Sequence, residues 1–466
     1  MDPVVARIIR NREVIGEKNI RIYLGGNLSD LSDPHQMKDM DRLVEILAQK
    51  IRKQVHIRII GDYDVDGVTS SHLFLTALRR VGAKVDVVIP HRIQDGYGLS
   101  LHLLQQAKED GVDTILTCDN GIAAIDEIAW AKAQKMTVLV TDHHAVPFEE
   151  HEGRRTEKKS LADAVVNPHQ QDCRYPYKEL CGAGVAWNVI RVLYENYDMD
   201  KREAEDLLDF VAMATVCDVM SLTGENRILV KEGLKRIRHT KNIGLQALMQ
   251  ACNVQPENIS AYHFGYVLGP CVNATGRLDT ARHALRLFET GQETEAEEIA
   301  RDLVDLNQER KELTLQGVEM AKKLCEEGGY ENDPILVLFL PDVHESIAGL
   351  IAGRIREMYN RPVFVLTRGE EGVKGSGRST ENYSMYENMC GCVELFTKFG
   401  GHPMAAGLSL PEENVEKFRR KINENCPLTV EEVCPDIHID MAMPVGYAST
   451  ELVHQFALLE PFGKDN

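Results

Sequence analysis

The chain has 466 residues, more than one hydrophobic core usually supports, so we expect two or three domains. Its net charge of −19 argues against a surface that binds nucleic acid indiscriminately, although a narrow basic groove remains compatible with it. It lacks an apolar run of about 18 residues, which argues against a membrane span. The eleven cysteines are scattered without a Cys-x-x-Cys pair, so we expect reduced thiols and a cytoplasmic location.

Short apolar runs alternate with helical stretches in the first part of the chain. The predicted strands are Val55–Ile60, Val85–Ile89, Thr114–Thr117, Thr137–Val140 and Ala164–Asn167. The predicted helices between them are Gly67–Arg80, Ser100–Glu109 and Ala123–Gln134. Such alternation is typical of right-handed βαβ units and a mostly parallel sheet. Residues 182–288 are predicted to be mainly helical.

A long polar segment without proline, Glu293–Glu327, follows. Its apolar residues recur at helical spacing on one face, which predicts one helix between two domains. A second α/β unit comes after it, with strands predicted at Ile335–Leu340, Pro362–Leu366 and Leu408–Leu410 and helices at Ser346–Tyr359, near Asn388–Phe399 and at Glu412–Asn423. The last segment looks strand-like at Ile437–Met441, so we expect the start of a further β domain there.

Acidic residues follow the first predicted strand, at Asp62, Asp64 and Asp66. Alternate residues of an extended chain face one side, so these three carboxylates are predicted to share a cavity. Carboxylates so close together repel one another unless a cation lies between them. The alternative interpretation is a simple polar turn, which Asp and Gly form readily.

Two further strands end in a similar way. Asp119 follows the third predicted strand, and Asp142, His143 and His144 follow the fourth. We predict that His143 binds a metal with Asp142 as its hydrogen-bond partner, and that His144 donates a proton or stabilises charge on phosphate. Asp218 lies in an apolar context at a predicted helix end, where a carboxylate needs a cation or hydrogen bonds.

Oxygen-rich sites with some imidazole favour Mn²⁺ or Mg²⁺ over zinc. Two such ions activate a water and stabilise both oxygens of an in-line phosphoryl displacement. In open α/β sheets, ligands bind at the carboxyl ends of the strands, which is where these residues are predicted to lie. The residues alone therefore predict a metal-dependent phosphoester hydrolase.

The motifs Asp62-Tyr-Asp-Val-Asp-Gly67, Cys118-Asp-Asn-Gly121, Thr141-Asp-His-His144, Val216-Cys-Asp218 and Gly400-Gly-His402 resemble those of the DHH phosphoesterases. Within that superfamily the chain is similar, over nearly its whole length, to the RecJ family of single-stranded-DNA-specific 5′→3′ exonucleases. The resemblance implies that the metals are held by Asp64, Asp66, Asp119, His143 and Asp218, with Asp62 as a further ligand. It implies a catalytic contribution from His144.

The resemblance also implies a set of substrate-binding residues. Arg92 and Tyr97 would bind a 5′ phosphate and a base, and Arg277, in the Asn273–Arg277 motif, would hold a phosphate. In the second domain, Ser376, Arg378 and His402 would face the terminal phosphate. A surface ion pair is the alternative interpretation for each arginine. The active site is expected in the cleft between the two domains.

The predicted fold class is α/β: a parallel-sheet DHH domain with a helical insert, a long connecting helix, a smaller α/β DHHA1 domain and an incomplete C-terminal β (OB-like) segment. The predicted bounds are 1–290 for the DHH domain (core about 50–220), 291–328 for the helix, 329–430 for the DHHA1 domain and 431–466 for the start of an OB-type domain.

The resemblance implies a 5′→3′ exonuclease that releases 5′-mononucleotides from single-stranded DNA with two Mn²⁺ or Mg²⁺ ions, in DNA repair and recombination. Single-strand-binding protein and a helicase are its expected partners, and no membrane is involved. The first alternative is a DHH-family phosphodiesterase acting on short oligoribonucleotides or cyclic dinucleotides. The second is a replication scaffold without enzymatic activity, against which the intact set of metal ligands argues.

Overall fold

The structure is a computed structural model that describes residues 1–92, 95–96, 98–151, 154–330, 333–369, 372–426, 428 and 439–466. It divides into two compact units. Unit 1 comprises Met1–Asn307 and Asp440–Asn466, and unit 2 comprises Gln308–Ile439.

A parallel sheet of five strands forms the centre of unit 1. The strands of this unit are β1 (His56–Ile60), β2 (Lys84–Val88), β3 (Thr114–Cys118), β4 (Thr137–Thr141), β5 (Phe148–His151), β6 (Arg154–Glu157) and β7 (Ala164–Val166). The five-stranded sheet has the order β2-β1-β3-β4-β7, and every pair in it is parallel. The predicted parallel sheet is thereby confirmed. Strands β5 and β6 form a separate antiparallel hairpin.

Helices account for most of the remainder of unit 1. They are α1 (Pro3–Asn11), α2 (Glu17–Gly25), α3 (Met40–Arg52), α4 (Val65–Arg80), α5 (Leu101–Glu109), α6 (Ile125–Ala133), α7 (Gly182–Asn196), α8 (Lys201–Glu205), α9 (Leu208–Cys217), α10 (Gly224–Ile237), α11 (Ile243–Ala251), α12 (Ala261–His263), α13 (Gly269–Leu278) and α14 (Ala281–Glu289). The long helix α15 (Glu293–Glu327) begins in unit 1 and ends in unit 2.

Both faces of the parallel sheet are covered, so its inner strands β3 and β4 bury apolar side chains on both sides. Ile115 and Val138 belong to the apolar cluster that includes α5 and α6. Their neighbours along the strands, Leu116 and Leu139, belong to the cluster that includes α4, α7 and α9. Successive side chains of a strand point to opposite faces, so this alternation fixes the register of the sheet and the positions of its strand ends.

Helix α4 carries a histidine, His72, that is buried in this core. Its ring centroid lies 4.4 Å from that of Phe210 and 5.8 Å from that of Phe288, and its Nδ1 has no hydrogen-bond partner among the described residues. Burial disfavours the charged imidazole and lowers the pKa of His72 to about 3.

Replacing His72 with Leu is expected to make unit 1 less sensitive to acid. In the unfolded chain His72 takes up a proton near the ordinary histidine pKa, whereas in the folded chain the same residue is not protonated until about pH 3. Stability is therefore lost as the pH falls between these two values, by about 2 kcal/mol from pH 7 to pH 5. Urea unfolding at the two pH values, followed by the fluorescence of Trp130 and Trp187, should show this loss reduced in the variant. An equal loss in both proteins would contradict the assignment.

Unit 2 is a smaller α/β unit with one mixed sheet. Its strands are β8 (Leu336–Phe339), β9 (Val363–Gly369), β10 (Gly372–Arg378), β11 (Lys398–Gly401) and β12 (Ala405–Leu410), and its helices after α15 are α16 (Ala348–Tyr359), α17 (Met385–Cys390) and α18 (Val415–Glu424). The sheet order is β11-β12-β10-β9-β8, with β8 and β9 parallel and the other pairs antiparallel. This second sheet confirms the predicted second α/β domain.

One predicted helix of unit 2, near Asn388–Phe399, is wrong. Helix α17 ends at Cys390 with Gly391 as its C-cap, a short 3₁₀ turn follows, and the chain then enters β11. Phe399 pairs with Leu408 in the sheet, and the Phe396 ring packs against that of Phe418. Glycine has a low helix propensity, and the aromatic residues that follow it are partly buried against the cluster of unit 2, with Phe399 in a strand rather than in a further helical turn.

The β segment predicted at 431–466 is also corrected where the structure describes it, and residues 431–438 lie outside the described residues. Residues 439–466 contain no strand; helix α19 (Thr450–Phe456) lies between two 3₁₀ turns. The Ser449 side chain caps this helix, and Leu452 and Leu459 lie in one apolar cluster with Val5 of helix α1. The contacts of these leucines with α1 stabilise the helical conformation of the segment. Among the described residues, no helix combines the length and the apolar character needed to cross a membrane.

Candidate metal centre

The loop after β1 brings the first three acidic residues to the carboxyl edge of the sheet. Asp64 caps helix α4 by accepting a hydrogen bond from the Gly67 amide at 3.0 Å. A Cβ on Gly67 would lie 2.4–2.6 Å from backbone atoms of Asp62, so only glycine permits this tight turn. Asp62 and Asp64 are in the loop, but Asp66 is already in the first turn of α4. The expected extended run of three carboxylates is therefore wrong, since the helix begins at Val65.

Asp66 is held by the N-terminus of helix α7. Its two carboxylate oxygens accept hydrogen bonds from the amides of Gly182 at 2.6 Å and Ala183 at 2.7 Å. These amides have no partner within their helix, and the helix dipole favours a negative charge at this end. Helix α7 thus fixes a carboxylate that belongs to a distant part of the sequence.

Asp119 and His143 lie at the ends of β3 and β4 and meet at the same edge. The residue after β3, Asp119, has a left-handed backbone with φ of 61°. Its Oδ1 lies 3.1 Å from Nε2 of His143, and that nitrogen lies 3.7 Å from Asp66 Oδ2 and 3.6 Å from Asp218 Oδ2. One imidazole is therefore in contact range of three carboxylates from three separate segments.

Asp218 completes the group as the residue directly after helix α9. The next residue, Val219, has a φ of 55° and a side chain that is 62% exposed. A β-branched residue in the left-handed region is strained, and such strain concentrates at functional sites. The sequence gives no signal for the left-handed backbone at Val219, because the two residues on either side of Asp218 include no glycine or other turn-forming residue.

Asp142 has a different partner from the one predicted. Its Oδ1 accepts hydrogen bonds from the backbone amides of His143 and His144 and lies 2.8 Å from Nδ1 of His144, while its Oδ2 accepts from the Ile122 amide. Asp142 thus orients the ring of His144 rather than that of His143. Burial opposes protonation of His144, but the hydrogen bond and charge of Asp142 outweigh it and raise the pKa of His144 to about 9.

The electrostatics of the cluster fit bound cations. Burial raises the pKa of four carboxyl groups above its usual range, and repulsion between neighbouring carboxylates adds to the effect: Asp62, Asp64, Asp119 and Asp218. Asp62 Oδ1 and His143 Nε2 are buried without a hydrogen-bond partner among the described residues. Such groups need positive charge beside them, and a divalent cation supplies it.

The possible ligand atoms fall into three overlapping groups. Within each group the atoms lie within 4.8 Å of one another: Asp62, Asp64 and Asp119; Asp66, His143 and Asp218; Asp119, His143 and His144. The structure therefore gathers every predicted metal ligand into one site in unit 1. The donor set of carboxylate oxygens with imidazole suits Mn²⁺ or Mg²⁺, as the sequence predicts.

Two of the predicted substrate-binding arginines lie near Tyr63, in the same loop. The Arg92 guanidinium is 4.9 Å from the centre of the Tyr63 ring. Burial and the charge of Asp62 raise the pKa of Tyr63 to about 12, against the opposing charges of Arg92 and Arg277. Asn273 Oδ1 accepts the Val65 amide at 3.1 Å and so supports the start of α4. Tyr97 lies outside the described residues.

The remaining predicted residues lie together in unit 2. Ser376 and Arg378 are two apart on β10, and Arg378 pairs with Ala405 across the sheet. His402, whose amide bonds to Ala405 O at 2.8 Å, is at that end of the sheet and is exposed. A Cβ on Gly349 would lie 2.8 Å from both Ser376 Oγ and Arg378 Nη2, so glycine leaves room for these side chains beside α16.

Comparison with known proteins gives two family matches. The model of the DHH family, N-terminal domain, matches residues 56–215, and that of the DHHA1 domain matches residues 332–426. "Single-stranded-DNA-specific exonuclease RecJ" of Haemophilus influenzae is 36% identical over 440 residues, covering 91% of this chain and 74% of the relative. The protein of the same name from Bacillus subtilis is 34% identical and covers 100% of this chain, which spans only 58% of that relative's length.

A solved structure is similar as well. The crystal structure of exonuclease RecJ bound to manganese has a TM-score of 0.71 at 32% identity, and the match covers 83% of this chain and 94% of that chain.

Proposed function

The chain belongs to the RecJ family of DHH phosphoesterases, and on that premise we propose that it is a metal-dependent 5′→3′ exonuclease. Its substrate is single-stranded DNA and its products are 5′-mononucleotides. The observation that carries the proposal is the cluster of five carboxylates at one edge of the sheet, three of which lie within 3.7 Å of His143 Nε2. The names of the relatives, all specific for single-stranded DNA, favour this substrate over the short ribonucleotides of the alternative.

Asp64, Asp66, Asp119, His143 and Asp218, with Asp62, would hold two Mn²⁺ or Mg²⁺ ions. When bound, such ions supply a nucleophilic water at neutral pH and stabilise charge on a phosphoryl group. The chain itself contributes a fixed geometry, because the amides at the start of α7 hold Asp66 and the turn at Gly67 holds Asp64. These two carboxylates are thus positioned before substrate arrives, which lowers the cost of reorganisation during the reaction.

His144 is the proposed proton donor. In the metal-free chain the hydrogen bond and charge of Asp142 raise the pKa of His144 to about 9, and Asp142 lies 2.8 Å from Nδ1, so Nε2 is the second nitrogen from which the ring can donate. A charged imidazole at this position can donate to a phosphate oxygen or to the leaving 3′ oxygen. Asp142 is a positioning residue in this scheme, as it acts through His144.

Arg92 and Arg277 are proposed to bind phosphates of the strand, with Asn273 as support for the Asp64 turn. Tyr97 is proposed to contact a base. Ser376, Arg378 and His402 are proposed to hold the terminal 5′ phosphate, and this would set the direction of cleavage. We further propose that the enzyme acts in cytoplasmic DNA repair and recombination, with a helicase and single-strand-binding protein supplying its unpaired substrate.

End-labelled DNA tests this proposal. With Mn²⁺, single-stranded DNA carrying a 5′ label should release labelled mononucleotide from the first turnover, whereas a 3′ label should appear in mononucleotides only at the end. Asp64→Ala and His143→Ala should abolish both. Early mononucleotides from the 3′ label would reverse the proposed direction, and undiminished activity in the two variants would remove the metal assignment.

A further inference from the structure

Two exposed tyrosines form a stacked pair on the surface of unit 1. The rings of Tyr262 and Tyr266 have centroids 5.1 Å apart and planes inclined by 24°. Their side chains are 62% and 71% exposed, which makes them among the most exposed large side chains of the unit. They are four residues apart, so they lie on one face of the helical segment that contains α12 and α13. Because both rings are exposed, a role in the hydrophobic core does not explain why two aromatic residues are at this position.

The segment that carries the pair is anchored to the metal centre. Beneath the tyrosines, Phe264 is fully buried and its carbonyl accepts a hydrogen bond from Cys217, the residue before Asp218. At the other end of the segment, Asn273 bonds to the start of α4, and a Cβ on Gly276 would lie 2.5 Å from the Tyr63 carbonyl oxygen. The tyrosines and the metal-binding loops therefore share one rigid support.

The backbone of this segment has a second unusual feature. Residues Phe264–Leu268, which include Tyr266, form a π-helical turn between α12 and α13. Such turns are rare in proteins and occur frequently at functional sites. From Tyr266 to Asn273 the helix advances about 10 Å at the rise of an α-helix. A strand that runs along this helix from the start of α4 to Tyr266 would therefore span at least about three nucleotides at the spacing of stacked bases.

The charge of the segment sets it apart from the rest of the chain. Residues 258–278 contain no Asp or Glu, although the whole chain has 72 of them and a net charge of −19. The charged side chain in this stretch is Arg277. The net negative charge of the chain repels a polyanionic strand, whereas this segment adds no acidic side chain to that repulsion and contains an arginine near its end.

We propose that Tyr262 and Tyr266 form a stacking platform for the bases of a nucleic-acid single strand, about three or more nucleotides from the phosphate that is cleaved. Aromatic rings bind unpaired bases without regard to sequence, because every base has a π face. The platform rests on the proposed nuclease function, and it adds to that function a length-dependent affinity for substrate. A duplex, whose bases are already stacked on one another, gains nothing from it.

The test compares a trinucleotide with a dodecanucleotide of thymidine as substrates of the whole chain with Mn²⁺. For the wild-type chain we expect a lower KM for the dodecanucleotide, since only the longer strand reaches the platform. In the Tyr262→Ala/Tyr266→Ala variant, KM for the dodecanucleotide should rise about tenfold for each base that loses its stacking partner, with kcat unchanged. The Phe/Phe variant keeps the π faces and should behave as the wild type.

Tyr447→Ala provides a matched control, as this tyrosine is 43% exposed in the C-terminal segment of the same unit. Its KM values should equal those of the wild type. If the double alanine variant is unstable, the single variant Tyr266→Ala replaces it in the same KM comparison. The proposal would be overturned if the alanine variants had the wild-type KM for the dodecanucleotide. It would also be overturned if the Phe/Phe variant had a KM as high as that of the double alanine variant. A wild-type chain that hydrolyses neither strand would instead show that the proposed function itself is wrong.

Discussion

Asp119→Asn is expected to abolish hydrolysis while stabilising the metal-free protein. The substitution removes one charged ligand from the centre of the cluster, and the ions proposed to bind there supply the nucleophilic water and stabilise phosphoryl charge, so kcat should fall by about 10²–10³-fold. Asparagine tolerates the left-handed backbone at this position, so the fold should persist. Activity falls while metal-free stability rises, because the repulsion between carboxylates that favours cation binding also destabilises the protein when no cation is bound.

The direction of the stability change follows from the carboxyl pKa values. Burial, followed by the charges of Asp66 and Asp64, raises the pKa of Asp119 well above its usual range. A raised folded pKa means that metal-free stability is highest at low pH and falls as the pH rises through the folded value. At pH 8 with a chelator, the Tm of the variant should exceed that of the wild type, by about 2–4 °C for each kcal/mol of repulsion relieved. Differential scanning calorimetry measures it.

Asp209→Asn is the matched control for this prediction. Asp209 is a buried carboxyl on α9, outside the cluster, with a hydrogen bond from Thr240 at 2.6 Å, and burial raises its pKa to about 6. The same change there should leave both hydrolysis and the Mn²⁺-induced rise in Tm as in the wild type. An Asp119→Asn protein that is fully active, or one that gains as much Tm from Mn²⁺ as the wild type, would contradict the account.

Gly182→Ala is expected to have the second large effect. A Cβ at this position would lie 2.6 Å from Asp119 Cβ and 2.8 Å from Asp119 Oδ1, and the amide of the same residue holds Asp66. Overpacking of this kind costs about 1–3 kcal/mol of stability. A displacement of about 1 Å in a catalytic site lowers rates by about 10²-fold, which is the fall in kcat that we expect.

Gly184→Ala, on the same helix, separates this effect from a general cost of changing α7. A Cβ there would have its nearest neighbours at 3.4 Å, an ordinary van der Waals distance, so activity should stay near the wild-type value. Steady-state kinetics and urea unfolding of the two variants make the comparison. Equal activity of Gly182→Ala and Gly184→Ala would show that the close approach of α7 does not position the cluster.

The strands and the cluster of proposed metal ligands were predictable because they depend on short-range patterns. Apolar runs mark β1, β3 and β4, and the parallel order brings their carboxyl ends to one edge, so Asp119 and His143 meet although they are far apart in sequence. Alternation of strands with helices predicts that the strands are parallel, and parallel strands have their carboxyl ends at the same edge of the sheet.

Other features depend on tertiary contacts that no local pattern contains. Asp142 could be assigned to either histidine from the sequence, and only the structure shows it bonded to His144. The left-handed strain at Val219 has no signal in residue type, since valine disfavours that conformation. The stacked tyrosines were also missed, because their exposure becomes evident only once Phe264 is seen to take the buried face of the segment.

The helical C-terminal segment could not be foreseen because its partners are at the other end of the chain. Leu452 packs in a cluster with Val5 and Ile9, and the buried Arg227 guanidinium donates to the carbonyls of Tyr23 and Leu459. A short segment with weak intrinsic preference takes the conformation that its neighbours stabilise.

Binding of Mn²⁺ to the metal-free chain tests the central claim most directly, because it asks whether the buried cluster is a site for divalent cations at all. Isothermal titration of the wild-type chain should show about two ions bound, as expected of a two-metal hydrolase. His143→Ala, which removes the imidazole in contact range of three carboxylates, should lose at least one of them. Equal stoichiometry and affinity in wild type and variant, or no binding in either, would contradict the account.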